Sequence, residues 1–251
     1  MKAVIITVGN EILKGRTVNT NFSYIGELLT YSGYDVVKGI IVRDNLDEIA
    51  NAFRESSSAG DIIISSGGLG PTYDDMTLKG FSACFGLKLV KNQEAENMIL
   101  GKAGYMTPAR EKMSILPEGS EPLENRAGTA PGIYIEISGK TFIIVPGVPG
   151  EVKSIMEGIK DRIKVPGFQY TDRSENLYNV KESLIAPLIA DLMKKYGGNA
   201  YIKTHPKVDE NGEPWVEVEV SAWGNDRGAI EKLADSILEQ IKEDAMQNNY
   251  K

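Results

Sequence analysis

The sequence predicts an α/β domain on a mostly parallel sheet, followed by a second, smaller α+β domain. Three observations carry this reading. The run Lys2–Val8 (KAVIITV) is continuously apolar rather than alternating, as in a strand buried on both faces. Such runs alternate with stretches of helical spacing through about residue 160. At Lys164-Val-Pro-Gly167 the pattern halts, and it restarts in another style, with residues 215–222 (WVEVEVSA) alternating cleanly.

The elements follow in order. Residues 2–8 form the first strand. Asn19 or Thr20 opens a helix with Phe22, Ile25, Leu28 and Leu29 at helical spacing, and Gly33 ends it. Residues 34–42 are the second strand, and Asn45 caps a helix running to about Ser58. Residues 61–65 (DIIIS) are the third strand, followed by a glycine turn and a helix from about 74 to 85. Helices are expected at about 91–102 and 108–113, strands at 132–137 and 141–145, and a helix at 149–160. Past the linker come a strand at 170–178, a helix at 181–196, and strands at 199–204 and 215–222. Val216, Val218, Val220 and Ala222 share one face of the last strand, and a helix at 226–243 closes the chain. The domains are set at 1–165 and 168–251.

Composition narrows the function. The chain has 251 residues, 28 basic and 35 acidic, for a net charge of −7. A general electrostatic grip on nucleic acid is disfavoured. An anionic ligand would need local devices: backbone N–H groups, a helix N-terminus, a few basic side chains or a metal. The one cysteine, Cys84, sits at apolar helical spacing with Phe81 and Phe85 and reads as core; it excludes an intrachain disulfide. One histidine, His205, excludes a multi-histidine metal site. The run Ala3–Val8 is too short for a signal sequence, and no stretch has membrane-spanning length. A reduced, cytoplasmic protein is expected.

Ligands on parallel sheets bind at the carboxyl ends of the strands. There fall Gly9-Asn10-Glu11, Arg43-Asp44-Asn45, Ser66–Asp75 and Pro146-Gly147. The stretch SSGGLGPTYDDMT (65–77) is the densest of these. Gly67, Gly68 and Gly70 let the backbone approach a ligand, and the helix start behind them offers free N–H groups to an anion. Thr72 or Asp74 can cap that helix, and a plain turn closed by a Thr72-x-x-Asp75 capping box is the simpler alternative. The stretch is neither a Gly-Lys-Ser/Thr phosphate loop nor a dinucleotide GxGxxG.

The aspartates oppose a phosphate. Two unit charges 4 Å apart repel by about 4 kcal/mol at an intermediate dielectric. Either the carboxylates only cap, or a hard divalent cation stands between carboxylate and phosphate. Asp44 and Glu11, at neighbouring strand ends, suit the second resolution. The expected metal ligands are therefore Asp44 and Asp75, with Glu11 as a third catalytic acid and Asp74 as a cap or water-orienting group. Asn125–Gly132 and Val145–Glu151 add two more Gly/Pro turns, so a cleft broad enough for a nucleotide or a pterin is expected.

The words VGNEIL and KGRTVNTN (8–21), VRDN (42–45), SSGGLGPTYDDMT, MTPAR (106–110), LPEG (116–119), GTAPG (128–132) and VPGVPGE (145–151) carry a resemblance. In that order they resemble the N-terminal domain of the competence/damage-inducible CinA proteins, within the wider molybdopterin-binding (MoCF-like) family. The likeness spans nearly all of residues 1–160. It continues more weakly through 170–250, where KESLIAPLIADL and AYIKTHPK resemble the small KH-like domain of CinA-type proteins.

The resemblance implies a three-layer fold and a nucleotide or pterin ligand. Around the first strand it places ligand contacts at Gly9, Asn10 and Asn19. At the glycine turn they fall on Ser66, Gly67, Gly68, Leu69, Gly70, Thr72 and Asp74. In the later turns they fall on Asn125, Gly128, Thr129, Pro131, Gly132, Pro146 and Gly147. It implies metal-dependent hydrolysis of the ADP-ribose pyrophosphate to AMP and ribose 5-phosphate, with an oligomeric assembly. The alternatives are a pterin- or nucleotide-binding protein without turnover, or a molybdopterin adenylyltransferase-like activity. A nicotinamide-mononucleotide deamidase domain is expected to be absent. Gly-Asn10-Glu replaces the family's Gly-Thr-Glu, and Gly150 replaces a serine in the last turn. Arg126 stands in a turn where it could add a phosphate contact. Residues 170–251 hold no GxxG, so RNA binding through a KH clamp is not expected.

Overall fold

The computed structural model describes residues 1–247. They fall into two compact units, Met1–Lys164 and a second beginning at Val165. The first unit opens with β1 (Lys2–Val8), α1 (Asn10–Leu13), α2 (Thr20–Tyr31), β2 (Asp35–Val42), α3 (Leu46–Ala59) and β3 (Ile62–Ser66). It continues with α4 (Thr77–Phe85), β4 (Leu89–Lys91), α5 (Gln93–Ala103), α6 (Pro108–Lys112), β5 (Ile115–Pro117) and β6 (Glu121–Leu123). It ends with β7 (Gly132–Ile137), β8 (Lys140–Val145) and α7 (Pro149–Ile163).

The main sheet has the order β2-β1-β3-β8-β7-β6. β1 is parallel to β2 and β3, and β3 is parallel to β8. β7 and β6 complete the sheet antiparallel. The continuous apolar run of β1 serves two cores at once. Ala3 and Ile5 join Ile25 and Leu29 of α2 and Val152, Ile155 and Met156 of α7 on one face. Val4, Ile6 and Val8 join Ile49 and Phe53 of α3 and Phe81 of α4 on the other. The result is helix, sheet and helix in three layers. Each fully buried Val, Ile or Phe stabilises by roughly 1.5–3 kcal/mol relative to exposure.

β2 departs from the pattern of a strand buried on both faces. It is the sheet's edge, and Val37 and Ile41 remain exposed. The glycine turn also differs from expectation. α4 begins at Thr77 rather than near 74, because residues 71–76 form a loop first, and its N-cap Met76 supplies no side-chain bond. Neither Thr72 nor Asp74 caps it.

The second unit comprises β9 (Gln169–Tyr178), α8 (Glu182–Tyr196), β10 (Ala200–Val208), β11 (Pro214–Gly224) and α9 (Arg227–Gln247). Its antiparallel sheet runs β10-β11-β9. Val216, Val218, Val220 and Ala222 are buried under Ile185 and Leu192 of α8 and Ile230, Ile237 and Ile241 of α9. β10 extends past Pro206, which an edge strand tolerates because no ladder donor is needed there. Among the described residues no helix is long and apolar enough to cross a membrane.

Candidate functional site

After β2 forms on one side of β1, the chain crosses to build β3 on the other. The crevice at such a reversal is where open α/β sheets take ligands. A cleft of about 930 Å³ opens there, at the carboxyl ends of β1, β2, β3 and β8. That is within the usual range for small-molecule sites.

The glycine turn forms its floor. Gly67 leaves β3 with φ 103°, a left-handed conformation. A Cβ there would stand 2.1 Å from the Val8 carbonyl oxygen, so only glycine lets the turn nest against β1. The Gly67 N–H donates to the Val145 carbonyl, and the buried Thr77 hydroxyl donates to the Gly67 carbonyl. Leu69 turns into the core and anchors the loop. The cleft lining passes along residues 67–75 and does not include the start of α4. At the start of α4 the Thr77 N–H is bonded to the Gly68 carbonyl, so the turn rather than the helix start borders the cleft.

The acids divide differently from expectation. Asp75 is drawn back into the turn: its Oδ2 accepts from Thr72 N at 2.8 Å and Thr72 Oγ1 at 2.6 Å. Asp74 Oδ1 shares that single Thr72 hydroxyl proton, which holds its carboxyl below the usual range. Asp44 accepts from Asn10 N at 3.0 Å. Burial pushes the Asp44 carboxyl up, and the charges of Glu11 and Asp74 add to this against the Asn10 bond. The acids whose charges bear on Asp44 are Glu11 and, from the glycine turn, Asp74. Glu11, Asp44, Asp74, Asp75 and Glu151 all line the cleft, against one basic residue, Arg110.

Arg110 arrives on α6, capped by Thr107, whose hydroxyl accepts from Arg110 N. Its guanidinium stacks 4.2 Å from the Tyr105 ring centroid and donates to the Tyr105 carbonyl, and it has no carboxylate partner among the described residues. Two residues on, Lys112 reaches behind the turn. Its Nζ donates to the carbonyls of Thr72 and Asp75, the latter at 2.8 Å, and burial lowers its pKa. α6 thus brackets the turn, offering one cation to the cleft and using another to fix loop carbonyls. Lys112→Met is expected to weaken binding of inorganic pyrophosphate by about tenfold or more, since a charged hydrogen bond contributes roughly 1.5–3 kcal/mol. Calorimetric titration beside a thermal melt checks this; unchanged affinity would mean that the turn holds its shape without the lysine.

A second wall is organised by Asn125, which is buried. Its Oδ1 accepts from Ala127 N and Gly128 N, and its Nδ2 donates to the Ala130 carbonyl. Its amide and the Glu151 carboxylate, from the first turn of α7, both lie against Gly128. The Glu151 carboxylate lies directly over Gly128, where a Cβ would stand 2.0 Å from Oε1. Burial raises the Glu151 pKa, with the nearby Asn125 amide opposing. From α2, Asn21 Nδ2 donates to the Gly147 carbonyl at 2.7 Å and fixes the adjoining turn.

Of the expected contact residues, Gly9, Gly67, Gly68, Leu69, Gly70, Thr72, Asp74, Gly128, Thr129, Pro146 and Gly147 line the cleft. Six others lie behind it. Asn10 presents its backbone to Asp44, and Asn19 caps α2 while donating to Thr7 Oγ1. Ser66 is buried with an unpartnered hydroxyl, and Gly132 packs under Ile155. Asn125 shapes its loop, and Pro131 lines a smaller apolar hollow behind the turn. Arg126 is exposed, pairs with Glu124 at 2.9 Å and is not among the lining residues of the cleft. Sequence reasoning assigned no role to Tyr105, Arg110, Lys112, Glu151 or Asn21. The word MTPAR contains Arg110 and directly follows Tyr105, but nothing in periodicity tells that α6 folds over the turn.

Among the described residues no group of three or more His, Cys, Asp or Glu side chains could hold a metal ion. The carboxylates alone do not make a metal cage. Hard ions such as Mg²⁺ are often held by only one or two carboxylates with substrate phosphates and water. That is the only form in which Asp44 and its neighbours fit one.

Comparison with known proteins follows the same geography. The family model described as "probable molybdopterin binding domain" matches residues 4–164. A protein of Caldivirga maquilingensis is 43% identical over 250 residues, covering 96% of this chain and 97% of its own length. The protein Ta0487 of Thermoplasma acidophilum is 44% identical over 246 residues, 97% of this chain and 96% of its own. The crystal structure of "the protein CinA with unknown function" from Thermoplasma acidophilum is 50% identical; the match covers 66% of this chain and 100% of that one, with a TM-score of 0.64.

Proposed function

Because the chain belongs to the family of probable molybdopterin-binding domains, in its CinA-type branch, we propose that residues 1–164 bind a small phosphate-bearing pterin or nucleotide in this cleft. The observation that carries the reading is the glycine turn at the sheet's reversal, opposite an arginine with no carboxylate partner. Backbone N–H groups and one guanidinium are the local devices an acidic chain needs to hold an anion. The second unit serves as a scaffold or assembly element in this reading. Its KH-like character rests on the sequence resemblance, and residues 165–247 carry no GxxG.

One observation favours a second reading, metal-dependent hydrolysis of a pyrophosphate bond such as that of ADP-ribose. Five carboxylates facing one guanidinium repel a diphosphate unless a cation accompanies it. Asp44 is the acid to test, because Asp75 is already engaged by Thr72.

The experiment is a calorimetric titration of the full chain with inorganic pyrophosphate, ADP-ribose and a pterin monophosphate, with and without Mg²⁺ or Mn²⁺. Released AMP is scored by chromatography. Binding without product supports the first reading. AMP from the wild type, lost by at least 100-fold in Asp44→Asn, replaces it with the second. No binding of any phosphate ligand under any condition sinks both.

A further inference from the structure

The sheet of the second unit, β10-β11-β9, ends in two edge strands. An edge presents a row of backbone donors and acceptors that pairs with another strand unless something blocks it. The other edges of the two larger sheets are blocked. β2 carries a bulge at Val37, where its register against β1 shifts. β6 is three residues long and contains Pro122. β10 carries Pro206 between Lys203 and Lys207. β9 has none of these devices. It runs for ten residues without Pro, Gly or Lys, and it pairs with β11 along its length without a register shift. Among the described residues no strand pairs with its outer side.

The charges of β9 are drawn away from the edge. Arg173 reaches Glu231 and Asp235 of α9, and Glu175 accepts from Lys242 of the same helix. Asp172 accepts from the Ser221 hydroxyl on the open face of the sheet. Ser174 and Asn176 stand exposed between them. The Asp172 carbonyl accepts from Arg173 Nη1 at 3.0 Å, and a carbonyl oxygen has room for a second donor.

The sequence of β9 says which strand fits it. A two-fold axis normal to the sheet sets a second copy antiparallel, with α8 and α9 of both copies on one side. Centred on Ser174, β9 is complementary to itself. Arg173 then opposes Glu175 of the second copy, and Glu175 opposes its Arg173, on the helix side. Asp172 opposes Asn176, Thr171 opposes Leu177, and Tyr170 opposes Tyr178. Opposite charges and aromatic pairs directly across a ladder are stabilising, and like charges there are destabilising. Centring on Asp172, Arg173 or Glu175 sets that charge against itself, and centring nearer either end shortens the overlap.

We propose that β9 pairs with β9 of a second copy of this chain about Ser174, joining two three-stranded sheets into one of six. The occupant is a second copy because the complement of β9 is written in β9 itself. This gives the assembly role of the second unit a surface, and it does not depend on what the cleft binds.

The test is sedimentation and oxidative cross-linking of the full chain. The wild type is expected to sediment as a dimer or an even multiple of one. Ser174→Cys should cross-link across the axis, since residues directly opposite have Cα atoms about 4.5–5.5 Å apart, within disulfide range. Asn176→Cys, just as exposed, should not, because it lies roughly 14 Å along the strand from its own copy. Wild type oxidised in parallel reads any contribution of Cys84. Ser174→Lys and Ser174→Asp should each weaken association about tenfold, with unchanged thermal melts, and an equimolar mixture of the two should recover it. A monomeric wild type overturns the proposal. So does an oligomer in which Ser174→Cys fails to cross-link or Asn176→Cys cross-links equally, or one that both charge variants leave intact. None of these outcomes touches the cleft, whose pyrophosphate titration stands or fails separately.

Discussion

Gly67→Ala should abolish ligand binding and destabilise the first unit by roughly 2–5 kcal/mol, from left-handed strain plus overpacking against backbone. The added methyl would stand 2.1 Å from the Val8 carbonyl oxygen. That oxygen belongs to the end of a central strand buried on both faces, so it cannot retreat. Nor can the turn move outward freely, since Gly67 N donates to Val145 and Gly67 O accepts from Thr77. The control is Gly101→Ala. Gly101 lies in α5 with nothing near its Cβ position, and alanine there should stabilise by about 0.5–1 kcal/mol. Urea unfolding of both variants, with pyrophosphate titration, reads the contrast. If Gly67→Ala behaved like Gly101→Ala, the close approach to β1 would not be what shapes the cleft floor.

Phe81→Ala carries the second large effect. Phe81 is fully buried, edge-on to Phe53 and Phe142 with centroids 4.9 and 5.3 Å away, and tilted against Phe85 at 4.9 Å. Its removal opens a cavity under α4 and should cost about 3–5 kcal/mol. The loss should reach function as well. α4 begins at Thr77, whose hydroxyl pins the Gly67 carbonyl, so a loosened helix loosens the turn. Phe81→Leu, which refills most of the volume, is expected to recover the larger part of both stability and affinity. Parallel denaturation and binding curves check this; a Phe81→Ala protein with full affinity would show that the turn is held independently of its helix.

The interior was legible in the sequence because its periodicities are long. The run Ala3–Val8 announces burial on two faces, and the structure gives its alternate residues to two cores. Val216, Val218, Val220 and Ala222 declare one buried face by the same logic at period two. The three-residue strands β4, β5 and β6 were not legible, since three residues cannot show a period. α4 was expected too early because Thr72-x-x-Asp75 has the spacing of a capping box. Only half of the box closes, Thr72 N–H donating to Asp75 Oδ2 in a loop five residues ahead of the helix, while the threonine hydroxyl donates to the same oxygen instead of accepting from Asp75 N–H. Four turns at strand ends were readable as a cleft from glycine and proline alone. The division of roles among acids was not. That Thr72 holds both Asp74 and Asp75 depends on the local path of the turn, and the packing of Glu151 on Gly128 shows only in the folded chain. Arg110 and Lys112 needed the path of α6, which joins residues about forty positions apart.

Both rows of β1 side chains are taken up by the two cores, and so are those of β3 and β8. The rim of the cleft is therefore written almost wholly in connecting segments. Mutation and selection can redraft those segments one at a time, with the interior under no obligation to follow. A lineage built on this sheet could exchange one ligand for another while its hydrophobic interior stayed nearly unaltered. Its descendants would then agree in architecture well after they had ceased to agree in chemistry.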